Sequence, residues 1–199
     1  MIGEEALLEP LARLFRFREG TPQLIKHKPV IIVDLGCGPN TPFYFYLIQK
    51  GIKIKKYVGI DPLLSRKTIQ HHNKNNTVQL IKNGLKKRIP LPSSQADYVV
   101  AFATLEHFNH PKGILDDAIR ILKKGGKIIL TTPTFRAKPL LEFLEKIGLL
   151  SSREIHEHKR YFDKNSLRRI IVSKNVRVDH RYFEMGLNNL LIIEKLRTT

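Results

Sequence analysis

The chain is short of acid, of cysteine and of long apolar runs. Its 199 residues include a single cysteine, Cys37, which excludes an internal disulfide. No stretch is apolar for long enough to span a bilayer. The first residues, Met1-Ile2-Gly3-Glu4-Glu5, are acidic where a secretory signal needs a basic start and an apolar run, so the cytoplasm is the expected compartment. Repeats, low-complexity tracts and inter-domain linkers are missing too, and one domain over residues 1–199, large enough for its own core, is expected. Carboxylates are scarce: 18 Asp and Glu stand against 35 Lys and Arg, a net charge of +17. A surplus of that size favours contact with nucleic acid, anionic lipid or an acidic substrate. A lysine- and isoleucine-rich composition with no partner behind it gives the same count. The basic residues fall in short groups, such as Lys53, Lys55 and Lys56, or Lys86, Lys87 and Arg88, as a solvated face does.

What is present begins with Val30-Ile31-Ile32-Val33-Asp34-Leu35-Gly36-Cys37-Gly38-Pro39-Asn40-Thr41-Pro42. An apolar strand ends in an acid and then a glycine turn that starts a helix. A second strand, Tyr57-Val58-Gly59-Ile60-Asp61, also ends in a carboxylate. Doubly wound α/β folds hold adenosine-type ligands with such a strand, glycine turn and second acid-tipped strand. Gly36 and Gly38 allow backbone to approach the ligand, and Asp61 would accept hydrogen bonds from the ribose hydroxyls. A dinucleotide fingerprint wants a third glycine where Thr41 stands, which disfavours NAD. Thr41 is expected as the helix N-cap and Pro42 as its first residue, so a ligand with ribose but no phosphate fits better.

Helices and strands alternate, as in a parallel sheet covered on both faces. Leu7, Leu8, Leu11, Leu14 and Phe15 recur at helical spacing, predicting a helix over 4–18. Strands are expected at 30–34, 56–60, 77–82, 97–102 and 127–131, with helices at 42–50, 63–72 and 112–124. The last of these is expected to stop at Gly125-Gly126. Beyond it, a helix near 138–147, a second at 164–173 capped by Asp163, and two antiparallel strands at 176–183 and 189–195 complete the pattern.

Taken with later segments, the turn resembles motif I of the class I S-adenosylmethionine-dependent methyltransferases, which read acid-x-Gly-x-Gly. Asp97-Tyr98-Val99-Val100-Ala101-Phe102-Ala103-Thr104-Leu105-Glu106-His107-Phe108 resembles the fourth strand of that family and the turn after it. Arg120-Ile121-Leu122-Lys123-Lys124-Gly125-Gly126-Lys127-Ile128-Ile129-Leu130-Thr131-Thr132-Pro133 resembles its arginine, leucine, Gly-Gly, strand signature. His158-Lys159-Arg160-Tyr161-Phe162-Asp163 resembles a segment of the broad Leu-Glu-His subgroup, of methyltransferase type 11. The resemblance covers residues 29 to 195 and implies a Rossmann-like, doubly wound seven-stranded sheet. That sheet is mostly parallel with an antiparallel C-terminal hairpin strand, in the order 3-2-1-4-5-7-6. It also implies S-adenosylmethionine as cofactor, an N-terminal helix and lid over 1–28, and a substrate-side cap over 134–163.

By the same resemblance the cofactor is held by Asp34, Leu35, Gly36, Cys37 and Gly38, then Asp61 and Pro62, then Asn83 and Gly84, then Ala103 and Thr104. Asp34 is expected near the methionine ammonium. Where the family usually has an acid near the adenine amine, this chain has Asn83-Gly84, and the Asn83 carbonyl oxygen or backbone would replace it. Methyl transfer from a sulfonium is an in-line displacement, so rigid positioning in a dry pocket supplies most of the rate. A hydroxyl or ammonium acceptor also needs a base, and His107 is the candidate because imidazole titrates near neutrality. A structural histidine is its alternative reading. His158 and Tyr161 lie in the segment that covers the active site in this family. Cys37, between two glycines, reads as a small filler, and His156 and His158 lack further partners at metal-ligand spacing, so no metal is expected.

The turn after strand four, Ala103-Thr104-Leu105-Glu106, lacks the Asn/Asp-Pro-Pro-aromatic pattern of enzymes that methylate base amines. The Leu-Glu-His subgroup that the chain resembles acts mainly on small molecules, lipid-linked precursors, quinones and glycan intermediates, so the resemblance implies a small, lipid-linked or glycan acceptor. An RNA methyltransferase, led by the charge, and a non-catalytic cofactor-binding protein are the alternatives.

Overall fold

The computed structural model describes residues 8–24, 27–74, 76–85, 88–149, 160–171, 173 and 175–197. In chain order these form α1 (Glu9–Gly20), β1 (Val30–Leu35), α2 (Pro42–Gln49), β2 (Ile54–Ile60), α3 (Arg66–His72), β3 (Val78–Ile81) and β4 (Ala96–Phe102). After these come α4 (Pro111–Ile121), β5 (Leu122–Pro133), α5 (Ala137–Lys146), α6 (Lys164–Ile170), β6 (Val176–Phe183) and β7 (Asn188–Lys195). The strands make one sheet in the order β3-β2-β1-β4-β5-β7-β6, as the resemblance implies. Pairing is parallel from β3 to β5, and β7 runs antiparallel to both β5 and β6.

β1 is a near-continuous apolar run because it is central and covered on both faces: Val33 pairs with Val58 on one side and Val99 on the other. Alternate side chains of the sheet feed two cores. Phe17 of α1, Phe43 and Leu47 of α2 and Leu64 before α3 pack on Ile32, Tyr57 and Val100. Ile114, Leu115 and Ala118 of α4 and Leu167 of α6 pack on Val33, Val99 and Ile128 from the opposite face. The chain thus places α1, α2 and α3 on one side of the sheet and α4 and α6 on the other.

Local signals explain most element ends. Asp163 and Ser166 form a reciprocal capping box at α6. Ser65 caps α3 by accepting from the Thr68 N–H at 3.0 Å, so this helix starts later than expected. Two expectations need correction. Thr41 stands at the N-cap of α2 but makes no side-chain cap bond, because its left-handed backbone (φ 48°) turns the side chain into the interior. Gly125-Gly126 does not end α4, which stops at Ile121; the pair lies inside β5. There the register slips between Ala96 and Tyr98, Gly125 takes φ 77°, and a Cβ on Gly126 would press on the Asp97 and Lys123 carbonyl oxygens at 3.0 Å. The glycines make a bulge in β5. The part of the N-terminal helix expected over 4–7 lies outside the described residues; α1 runs on to Gly20.

Candidate active site

β1 feeds α2 and then β2 on one side, while β4 pairs with its other edge. Their carboxyl ends therefore flank the crevice at which ligands bind in open α/β sheets. The turn after β1 puts Gly36 and Gly38 at φ 75° and 71°, left-handed geometry that favours glycine. At Gly36 the close neighbour is the protein itself: a Cβ would collide with the Thr104 side chain from the turn after β4. At Gly38 the nearest atom to a Cβ would be Pro42 Cδ at 3.8 Å, so that side of the turn is open to a ligand. Asp61, at the tip of β2 and only 7% exposed, clamps the turn. Its Oδ2 accepts from the Gly38 N–H at 2.9 Å and its Oδ1 from the Leu63 N–H at 2.7 Å, through Pro62. Each oxygen keeps a second lone pair for a ribose hydroxyl.

Asp34 is brought to the same end of the sheet, but its carboxylate is turned inward. It is 2% exposed and accepts a hydrogen bond from the buried Tyr57 hydroxyl. Burial pushes its pKa up to about 7, against the pull of the Tyr57 bond and with the charge of Asp61 adding to the rise. The neighbouring Leu35 is buried in the core. Cys37 is also buried, and burial together with the charges of Asp34 and Asp61 raises its thiol far above the reactive range, which fits a filler.

The Asn83 side-chain oxygen accepts from the Leu85 N–H at 2.7 Å, so it shapes the turn after β3 instead of pointing freely at a ligand. Gly84 beside it has no atom within 4 Å of where a Cβ would stand. Ala103 follows β4 at φ 48°, with its N–H donated to the Thr131 carbonyl oxygen at 3.0 Å. Thr104 is buried and donates to the Phe102 carbonyl oxygen. Thr41, Leu85 and Ala103 are all non-glycine residues with positive φ, one in each of the turns after β1, β3 and β4. Such backbone costs about 1–3 kcal/mol per residue, and Ser94, Glu184 and Met185 adopt it elsewhere.

Glu106, His107 and their neighbours stand at the carboxyl end of β4. Leu105–His107 is one helical turn, with Glu106 completely buried and His107 half-buried beside it. Burial raises the Glu106 pKa, opposed by His107, by Arg16 of α1 and by the Thr132 hydroxyl of β5. Arg16 also offsets the burial of Glu184, whose carboxylate accepts from the Asn188 side chain at the start of β7. Next to it, fully buried Asn189 donates to the Phe162 and Thr132 carbonyl oxygens at 2.9 and 3.2 Å, and its Oδ1 meets His180 Nε2 at 2.8 Å. Arg160 donates to the Phe108 and Asn109 carbonyl oxygens, tying the later segment to the turn that carries His107. Tyr161 follows it and packs on Phe135, ring centroids 5.7 Å apart. His158 lies outside the described residues.

Residues 4–180 match the family of methyltransferase domains. The chain belongs to this family. Its cofactor is S-adenosylmethionine. The chain is 26% identical over 133 residues to the chloroplastic 2-methyl-6-phytyl-1,4-hydroquinone methyltransferase of Arabidopsis thaliana, a match covering 67% of this chain and 39% of that protein. It spans well under half the length of such curated relatives, 39% here and 41% for the spinach (Spinacia oleracea) enzyme. The fold is shared with the methyltransferase partner of the Haloferax volcanii Trm112 activator, at TM-score 0.73, 12% identity and coverage of 96% and 92% of the two chains. It is shared as well with the plantazolicin methyltransferase BpumL, whose structure holds S-adenosylhomocysteine, at TM-score 0.70, 15% identity and 95% and 86% coverage.

In a methyltransferase of this family the turn must admit a nucleoside, and the open faces at Gly38 and Gly84 with Asp61 between them fit one. The sequence motifs point to those turn residues and not to the buried polar side chains around Glu106. Arg16, Thr132, Glu184, Asn188 and Asn189 were not among the candidates. The one available signal was their kind: Thr131-Thr132 ending an apolar strand and Asn188-Asn189 starting another are polar pairs where a buried sheet needs none. Among the described residues no three His, Cys, Asp or Glu side chains gather as a metal site would need, and no helix is long and apolar enough to cross a membrane.

Proposed function

We propose that this chain methylates a small acceptor whose reactive hydroxyl, amine or ring carbon is carried on an apolar body, such as a lipid-linked molecule. The observation that supports this most is the likeness to chloroplast enzymes named for a phytyl-bearing hydroquinone. Glu106, Thr132 and Asn189, each 0% exposed, form a buried polar group at the turn that carries His107, with Asn189 bonded to Phe162 on the face covered by α4 and α6. Phe17, Phe43 and Phe102 pack on the opposite face.

S-adenosylmethionine supplies an electrophilic methyl carbon when bound. The chain's own part is positional. Asp61 and the turn at Gly36–Gly38 hold the nucleoside end, and Asp34 and Tyr57 stiffen the turn from beneath. Ala103 and Thr104 pass between cofactor and acceptor. His107 takes the acceptor's proton, Tyr161 beside Phe135 bounds the acceptor side, and α1 packs on α2 and β4 through Phe17.

The test has two stages. Thermal unfolding with S-adenosylhomocysteine, NAD and ATP should show stabilisation by S-adenosylhomocysteine alone, about 2.7 kcal/mol at a hundredfold excess over Kd. Asp61→Ala should abolish it. Methyl incorporation into prenylated hydroquinones, glycans and bulk RNA should then single out the apolar acceptor. Incorporation into RNA alone overturns the reading.

A further inference from the structure

The two helical layers present very different surfaces. On the layer of α1, α2 and α3, Leu11, Leu14 and Phe15 form an exposed stripe at i, i+3 and i+4, and Phe45 and Ile48 another at i, i+3, with Leu63 exposed before α3. On α4 and α6, among the described residues, no large apolar side chain is exposed.

The contrast in charge is with α4 alone, since α6 of the same layer exposes Lys164, Arg168 and Arg169, none of them in an ion pair among the described residues. α4 is a paired surface: Lys112 meets Asp116 at 2.9 Å, Asp117 holds Arg120 and Arg88, and nearby Lys123 meets Asp97 at 2.9 Å. Between Asp34 and Asp97, by contrast, the chain carries eleven Lys or Arg and a single carboxylate, the buried Asp61. Within that stretch Lys50, Arg66, Lys67 and Lys74 are exposed around α2 and α3, and Arg18 is exposed on α1. Among the described residues none of these five forms an ion pair. A groove of about 890 Å³ runs between α2 and α3, its walls including Asn40, Phe45, Lys67, His71, His72 and Lys74.

We propose that the α1–α2–α3 face docks on an anionic membrane surface, its apolar stripes entering the headgroup–acyl boundary and the α2–α3 groove taking an acidic headgroup. Exposed aromatic and aliphatic side chains set among unpaired cations match that surface on both counts. Nucleic acid would use the cations and Phe45 by stacking, but it has no use for Leu11, Leu14, Ile48 and Leu63. The docking goes beyond the methyl-transfer reading and is tested without cofactor or acceptor, so either can fail alone.

The experiment is co-sedimentation of the full chain with phosphatidylcholine vesicles, with and without phosphatidylglycerol. Binding is expected only with the anionic lipid and should weaken as salt is raised. Lys67→Ala with Lys74→Ala should lower the partition constant roughly thirtyfold. Removing the same charge from the other face, Arg168→Ala with Arg169→Ala, should leave it within about twofold. Phe45→Ser with Ile48→Ser should weaken binding and flatten its dependence on lipid; if that variant does not fold, the two charge pairs decide alone. No binding to anionic vesicles at low salt, an equal loss from the Arg168/Arg169 pair, or bulk RNA outcompeting the vesicles for Lys67 and Lys74 each overturns the proposal.

Discussion

The two halves of the crevice are built in opposite ways. The cofactor half, at the ends of β1, β2 and β3, comes from short contiguous segments: a six-residue strand, a glycine turn and an acid-tipped neighbour. Its central contacts, from Gly38 N–H to Asp61 and from Leu63 N–H to Asp61, join residues at most 23 apart. The half proposed for the acceptor, at the ends of β4, β5 and β7, is assembled from residues 16, 106, 132, 184 and 188–189, so its contacts span most of the chain. The lesson is that a site bound to backbone geometry announces itself locally, whereas one made of buried side chains is written only in the topology.

The largest expected effect lies where the halves meet. His107→Ala should lower turnover by about 10² to 10⁴ while the shift in unfolding temperature caused by S-adenosylhomocysteine is unchanged. Equal loss of cofactor binding would erase the division of labour between the halves.

The next concerns the foundation of the cofactor half. Asp34 has its pKa raised from 3.8 to about 7 by burial. As pH rises through that window the unfolded chain gives up its proton first while the folded chain keeps it, so stability falls with rising pH and the penalty is complete above about 7. The loss is of order 4 kcal/mol across the window. Denaturant midpoints measured from pH 4 to 8 should show this slope, and Asp34→Asn, which keeps an acceptor for Tyr57, should flatten it. Glu106 has its pKa raised in the same direction, so a residual slope should survive Asp34→Asn and shrink further when Glu106→Gln is added.

Gly36→Ala should cost about 3 kcal/mol, from the left-handed backbone and the collision with Thr104. Thr104→Ala should recover part of it, since only the steric share can be relieved. No recovery would mean that the two turns do not touch and that the halves are independent. Asn189→Ala, the smallest of the series, should cost about 2 kcal/mol by leaving the Thr132 and Phe162 carbonyl oxygens without their donor. Chemical denaturation reads both.

Much of the fold was legible because alternation of strand and helix signals is local. The order of strands, the antiparallel β7 and the turn after β1 all appear as expected. The misreadings share a cause. Gly125-Gly126 and Thr41 were read by what such residues do at helix ends, and each serves a different local backbone: a bulge against Asp97 and an inward left-handed turn. Asn83 was read by its chemistry toward a ligand, while its oxygen is engaged by Leu85 two residues on. In each case the residue type carries several uses, and only the neighbours select one.

The amino-acid order alone determined that strands alternate with helices and that a glycine turn follows an acid-tipped strand. Both follow from φ/ψ preference and from apolar periodicity over a few residues. Tertiary structure alone decided that the charge of Arg16 acts on Glu106 and that Asn189 bridges β5 to the segment after it. It also set Phe45 and Ile48 of α2 beside the exposed cations of α3. The physical reason is that burial and charge pairing depend on which distant segments the sheet topology brings together, and no local pattern encodes that distance.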